Sequence, residues 1–122
     1  MSAEKHSFPV QLRLRTPADY KKVFANPARS TDKFFTLLAI RNDLDHPRLG
    51  LAIAKKNIKK AVTRNLIKRT ARESFRLRQQ KLINIDIVVL ARRDAADAPP
   101  AVLRKSLERH WLKLVNRCDS YS

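Results

Sequence analysis

Residues 55–78 read KKNIKKAVTRNLIKRTARESFRLR, with ten basic residues, one acid and no glycine or proline. Nothing in this stretch breaks a helix, and its apolar spacing suits one. Ile67, Ala71 and Phe75 recur every fourth residue, with Thr70 and Ser74 beside them, as one buried face requires. The spacing predicts a helix from about Asn57–Lys59 to Gln80, with Asn57 as its N-cap. Lys60, Arg64, Lys68, Arg72 and Arg76 then also fall four apart and form one continuous cationic ridge. Like charges at that spacing repel. Only Glu73 is at hand to balance them, beside Arg69 and Arg76, so a solvated face held by internal ion pairs is the weaker reading. A polyanion that neutralises the row is the stronger one. Val62, Leu66 and Leu77 lie off the apolar arc, either exposed or covering a second contact.

The remaining segments must cover that helix. Thr16-Pro17-Ala18-Asp19 is a helix start, with a capping threonine, proline in the first turn and an acid placed for a capping box. The short helix ends at Asn26-Pro27. Tyr20, Val23 and Phe24 share one face, which serves either the core or stacking on nucleotides. Residues 28–32 are a polar loop with room for a short edge strand. Lys33–Arg41 and Arg48–Ala54 have strand length and composition. With NDLDHP between them they read as an antiparallel hairpin. The second strand alternates large Leu49, Leu51 and Ile53 with small Gly50, Ala52 and Ala54, a face that lets another element approach closely. Ile85–Ala91 is almost wholly apolar and reads as a central strand. A last helix is expected from about Pro100 to Arg117, with Leu103, Leu107, Trp111 and Leu114 or Val115 as its stripe. Residues 1–15 show no clear period and are expected to run extended over the surface. Residues 1–11 and 118–122 are expected to be flexible. The fold class is α+β, one domain spanning residues 1–122, with a small, mostly antiparallel sheet packed with three helices in αβββαβα-type order.

Chemistry-bearing clusters are absent from the sequence pattern. Gly50 is the only glycine, so neither a P-loop nor a GxGxxG turn can be written. A GxSxG elbow is excluded for the same reason. His6, His46 and His110 are widely spaced and read as solvated surface histidines. The acid pairs Asp43/Asp45 and Asp94/Asp97 sit in turns, where two-metal chemistry finds no rigid support. No catalytic residue and no metal ligand is nominated. Binding is what remains, and the charge supports it: 27 Lys and Arg against 11 Asp and Glu give +16. That excess suits a nucleic acid or an anionic surface. A hydrophobic share of 43% is enough for a core. No apolar run is long enough for a membrane span, and no secretory signal is visible at the N-terminus. One cysteine, Cys118, reads as a bystander and suits a reducing compartment, so cytoplasm is the expected location.

The run AKKNIKKAVTRNLIKRTARESFR resembles the signature of the bacterial ribonuclease P protein component. The matching features are a Lys-Lys pair at a strand end, then Ala-Val-x-Arg-Asn-x-x-Lys-Arg and Arg-Glu-x-Phe. LRTPADYKKVF resembles the family's first helix, FFTLLAIR and RLGLAIAKK its next strands, and IDIVVLARR with LRKSLERHWLKL its last strand and helix. The resemblance covers about Leu12 to Leu114. One departure stands out: the family's Arg-Asn-Arg triplet is here Arg64-Asn65-Leu66. The resemblance implies a left-handed βαβ crossover and a subunit whose RNA partner is catalytic and Mg²⁺-dependent, removing the 5′ leader of precursor tRNA. It implies no cofactor held by the protein itself, no membrane and no obligate protein partner. It makes Lys55, Lys56, Lys59, Lys60, Arg64, Asn65, Lys68, Arg69, Arg72 and Arg76 the RNA-binding candidates. Tyr20, Phe24 and Phe35 become candidates for a cleft that holds the leader, where aromatic stacking tolerates any base. The alternative from composition alone is a protein that docks on ribosomal RNA as a structural or chaperone element.

Overall fold

The computed structural model describes residues 9–82 and 84–120, the side chains of 118–120 excepted. His6, the Cys118 side chain and residues 121–122 lie outside the described residues. Helix α1 spans Pro17–Ala25, α2 Ala61–Arg78 and α3 Pro100–Ser120; strands are β1 Ala28–Thr31, β2 Phe35–Arg41, β3 Arg48–Ala52 and β4 Ile85–Ala91. The expected capping box opens α1: Thr16 Oγ1 accepts from the Asp19 amide, and the Asp19 carboxylate accepts from the Thr16 amide.

The sheet order is β1-β2-β4-β3. β2 pairs antiparallel with β1 and β4, and β3 pairs parallel with β4. The expected β2–β3 hairpin is therefore wrong. Both strands border β4, whose apolar residues gain most from a place with a neighbour on each edge. The connection 42–47 is long enough to step across one strand, roughly 10 Å at the usual interstrand spacing. It is locally wound, with the Asn42 side chain accepting from the Leu44 amide and donating to the His46 carbonyl.

Strand alternation divides the side chains between two layers. Phe35, Leu37, Ala39, Ile85, Ile87, Val89 and Leu49 pack against Ile67, Ala71 and Phe75 of α2 and Leu103, Leu107, Trp111 and Leu114 of α3. Trp111 stacks edge-on to Phe75 at 5.9 Å and donates its indole N–H to Ser74 Oγ at 2.8 Å. On the other face Leu38 and Val88 meet Leu14 and Val23, with Tyr20, Ile40, Ala52 and Leu90 around them. Residues 10–15 are no loose surface arm. Leu12 and Leu14 are buried in different layers, and Arg13 bridges to Leu49 along the outer edge of β3. The start of α2 also differs from expectation. Lys60, not Asn57, is the N-cap. Asn57 lies in the preceding turn and donates its amide to the Ala91 carbonyl at 3.2 Å. That bond ties the turn to the end of β4.

His110 is not a surface histidine. It is buried on α3, with Nδ1 2.6 Å from Ser30 Oγ and Nε2 3.2 Å from Asp32 Oδ2. Asp32 accepts from the Ser106 hydroxyl at 2.5 Å and from the Phe34 and Phe35 amides. Burial opposes ionisation of Asp32, but Ser106, the two amides and the positive potential near His110 outweigh it and hold its carboxyl down at about 2. Burial lowers the pKa of His110; Asp32 opposes this, while Lys113 and Arg109 add to it. The folded state therefore binds that proton less readily than the unfolded chain, whose histidine titrates near 6.5. Stability is fully present above that value and is lost as pH falls below it towards the depressed folded value. Urea titrations between about pH 7.5 and 5 are expected to show this loss, and His110→Gln to show a shallower pH dependence. Equal slopes in the two proteins would remove His110 as the cause.

Candidate nucleic-acid interface

The ridge on α2 reaches the edge of the sheet at a groove of about 170 Å³ lined by Arg13, Leu14, Tyr20, Leu49, Leu51, Lys68 and Arg72. Each wall has a local cause. Lys68 and Arg72 are one helical turn apart on α2, flanking its buried face. Arg13 is held by its backbone bridge to Leu49. Tyr20 extends from α1 across β3 because position 50 has no side chain. A Cβ there would lie 2.6 Å from Tyr20 Cε1 and 2.9 Å from Leu14 Cδ1. The small-residue face read from the sequence is thus the seat of an aromatic ring.

The groove is electrostatically crowded. Desolvation and then the like charge of Arg13 lower the pKa of Arg72, with Tyr20 acting in the opposite sense. Among the described residues Lys68, Arg69 and Arg72 form no ion pair, so Glu73 does not balance Arg69 as its spacing allowed. Lys68 and Arg72, held close together and without an ion-pair partner among the described residues, favour an incoming polyanion.

The other nominated residues separate by environment. Lys55 and Lys56 lie exposed in the turn after β3, and Lys56 opens with Lys59 and Lys60 onto a different cavity at the end of the sheet. Arg64 is engaged internally. Its Nη1 donates to the Ile58 and Lys59 carbonyls, both at 2.9 Å, and so braces the turn that presents those lysines. Asn65, Arg69 and Arg76 are exposed on the outer side of α2. They share it with Val62 and Leu77, 79% and 75% exposed. Leu66 is half-buried there. Of the aromatic candidates, Tyr20 lines the groove and Phe24 is 46% exposed on α1. Phe35 does not belong with them. It is fully buried on the opposite face of the sheet, edge-on to His110 at 6.5 Å. Strand parity sends it to the α2–α3 layer. Arg13 was missed by sequence reading, although the alternation Leu12-Arg13-Leu14-Arg15 is the period of an edge segment with one face buried.

Comparison with known proteins gives this chain a family. A model of the ribonuclease P family matches residues 8–115. The chain is 51% identical over 117 residues to the ribonuclease P protein component of Methylococcus capsulatus, covering 96% of this chain and 91% of that protein. It is 48% identical over 115 residues to that of Pseudoalteromonas translucida, covering 94% and 82%. Among solved structures, the Staphylococcus aureus RNase P protein superposes with a TM-score of 0.76 at 34% identity, covering 84% of this chain and 93% of that one. The Thermotoga maritima RNase P protein, solved with 1-(4-fluorophenyl)-2-thiourea, gives 0.74 at 30% identity, covering 81% and 96%. With a matching family model over most of its length and relatives at about half identity, the chain belongs to the family of bacterial ribonuclease P protein components.

Proposed function

We propose that this protein binds the catalytic RNA of ribonuclease P through the cationic row of α2 and holds the 5′ leader of precursor tRNA against α1 and the open part of the sheet. The observation that carries this reading is the groove itself, where Lys68, Arg72 and Arg13 converge on Tyr20. Cations grip phosphates without reading sequence, and an aromatic ring beside them stacks on an unpaired base of any identity. A leader varies from one precursor to the next, so a sequence-tolerant site suits it. Phe24 extends the aromatic surface along α1. Phosphodiester hydrolysis belongs in this reading to the RNA subunit and its Mg²⁺ ions. The protein contributes binding energy and charge neutralisation, which lower the Mg²⁺ concentration that the assembly needs. The cytoplasm is the matching location. No helix among the described residues is long and apolar enough to cross a membrane.

The test is cleavage of precursor tRNA by purified protein with and without the ribonuclease P RNA. Protein alone is expected to be inactive and to restore cleavage at low Mg²⁺ when the RNA is present. Cleavage by protein alone would sink the division of labour. In the same assay Tyr20→Ala is expected to weaken precursor binding about tenfold, from loss of a stacking contact of roughly 1–3 kcal/mol, and to leave mature tRNA binding nearly unchanged. Equal losses for both would return Tyr20 to a packing role.

A further inference from the structure

A surface of a different kind lies where α2 ends against α3. The turn Gln79–Lys81 follows α2 there, and a cavity of about 170 Å³ opens between it and the middle of α3. Its floor is apolar: Leu82 and Trp111 are buried and Val115 is half-buried. Leu112 also lines it, yet is 62% exposed, and so forms part of the mouth. The cavity has its cause in the end of α2. Ile67, Ala71 and Phe75 carry the buried stripe to the last turn, where Arg78 stands in place of a further apolar residue. Arg78 donates to both Glu108 oxygens at 3.2 Å and does not fill the space beside it. α3 continues past this point, so its flank of Leu112 and Val115 faces a turn where a helix would have covered it.

The rim is cationic. Arg78 and Glu108 compensate each other. Lys81 is exposed and forms no ion pair among the described residues. Arg104, exposed one turn before Glu108 on the same flank of α3, forms none either. It lies about 6 Å along the helix axis from Glu108. The surface is also separate from the α2 row. Lys68 and Arg72 turn towards the Tyr20 groove, whereas Ser74 and Arg78 turn towards α3, where they meet Trp111 and Glu108. A ligand in this cavity leaves the row free.

We propose that the cavity docks a protein partner: an acidic peptide segment that inserts one large apolar side chain between Leu82 and Leu112 and sets its carboxylates against Lys81 and Arg104. The proposal is independent of the RNA-binding reading. An apolar anchor in a pocket, with polar contacts around it, is how short segments are commonly held. Charge chooses the occupant. A second copy of a +16 chain is repelled. A nucleic acid matches the cations but brings phosphates to an apolar floor and to Glu108. Trp111 is 2% exposed, with its indole N–H bound to Ser74, and offers no face for stacking. An acidic peptide with one apolar anchor satisfies both floor and rim.

The experiment selects random-sequence peptides displayed on phage against the full chain. The most enriched peptide, made with a fluorophore, is titrated against the parent, Leu112→Glu and Lys81→Glu. Enriched sequences are expected to place a large apolar residue beside Asp or Glu. Both variants change exposed residues, so both are expected to melt like the parent, and each to bind the peptide about tenfold more weakly. Alanine at the peptide's apolar position is expected to weaken binding about thirtyfold. Excess ribonuclease P RNA is expected not to displace the peptide. If Leu112→Glu melts early, Lys81→Glu and the alanine peptide decide the matter. Absence of enrichment, or unchanged affinity in a folded variant, overturns the proposal. Displacement by the RNA also overturns it, by placing the peptide on the α2 row. A dimer of the parent seen by sedimentation, and abolished by Leu112→Glu, overturns it in favour of a second copy.

Discussion

Replacing Lys68 and Arg72 together by alanine is expected to weaken binding of the ribonuclease P RNA about a hundredfold at low salt. Each side chain can give one charge-assisted contact to a phosphate, worth roughly 1.5 kcal/mol net, and a tenfold change in affinity corresponds to about 1.4 kcal/mol. The free protein should lose no stability. Arg72 is crowded by Arg13, and neither Lys68 nor Arg72 has an ion-pair partner among the described residues. Removing them relieves repulsion in the unbound state. The signature to seek is weaker binding, a salt slope lower by about 1.4–1.8 for two lost phosphate contacts, and a melting temperature equal to or above that of the parent. A lower melting temperature with an unchanged salt slope would mean that the pair supports the fold and not the RNA.

Asp86→Ala is expected to have the largest effect on stability. Asp86 is a buried acid within the central strand. Its carboxylate accepts from Arg48 Nε at 2.9 Å and Nη2 at 2.7 Å, and from Asn42 Nδ2 at 2.7 Å. Asp19 of α1 approaches Arg48 at 3.7 Å. Arg48 is thus held on β3 between the sheet and the first helix, and its guanidinium pKa is raised by the hydrogen bonds from Arg48 to Asp86 despite partial burial. Truncating the acid leaves the mostly buried Arg48 cation without its bidentate acceptor and takes one of two acceptors from the half-buried Asn42 amide, at a cost of about 3–5 kcal/mol. Urea denaturation measures it directly. A loss below about 1 kcal/mol would show that water replaces the carboxylate. Because Asp19 sits at the start of α1, the same substitution should also loosen Tyr20 and weaken leader binding, a coupling that a purely local role would not produce.

Local signals carried much of this fold. Thr16 and Asp19 mark the start of α1 by a reciprocal hydrogen bond between near neighbours, which a four-residue window contains in full. The buried stripe of α2 is visible for the same reason. Pairing of strands is not local. Nothing within residues 33–54 reveals that β4, more than thirty residues further on, inserts between β2 and β3. The apolar content of β4 was the available hint, and the short connection 42–47 argued against it. His110 was misread because its partners, Ser30 and Asp32, lie about eighty residues away. At the candidate interface the cations of α2 were legible as a periodic row. Their division between the Tyr20 groove and the end of the sheet depends on where β3 and β4 stop. Phe35 was misassigned by parity: its strand was recognised, but the face it presents follows from packing against α3.

The central position of β4 also sets the order in which this chain can become a sheet. As the polypeptide leaves the ribosome, β1 and β2 can pair at once, since Ala28 and Ala39 are partners and only a short loop must close. β3 then emerges with no strand to join. Its parallel partner, Ile85–Ala91, follows only after all of α2 has been made. Until then the edges of β2 and β3 stay open, with the apolar undersides of both strands uncovered, the condition that invites pairing with other chains. The strong charge of the nascent segment between them keeps such chains apart while the last strand is awaited. Like-charge repulsion along the α2 row therefore opposes association of unfinished chains, whatever the row does in the finished molecule.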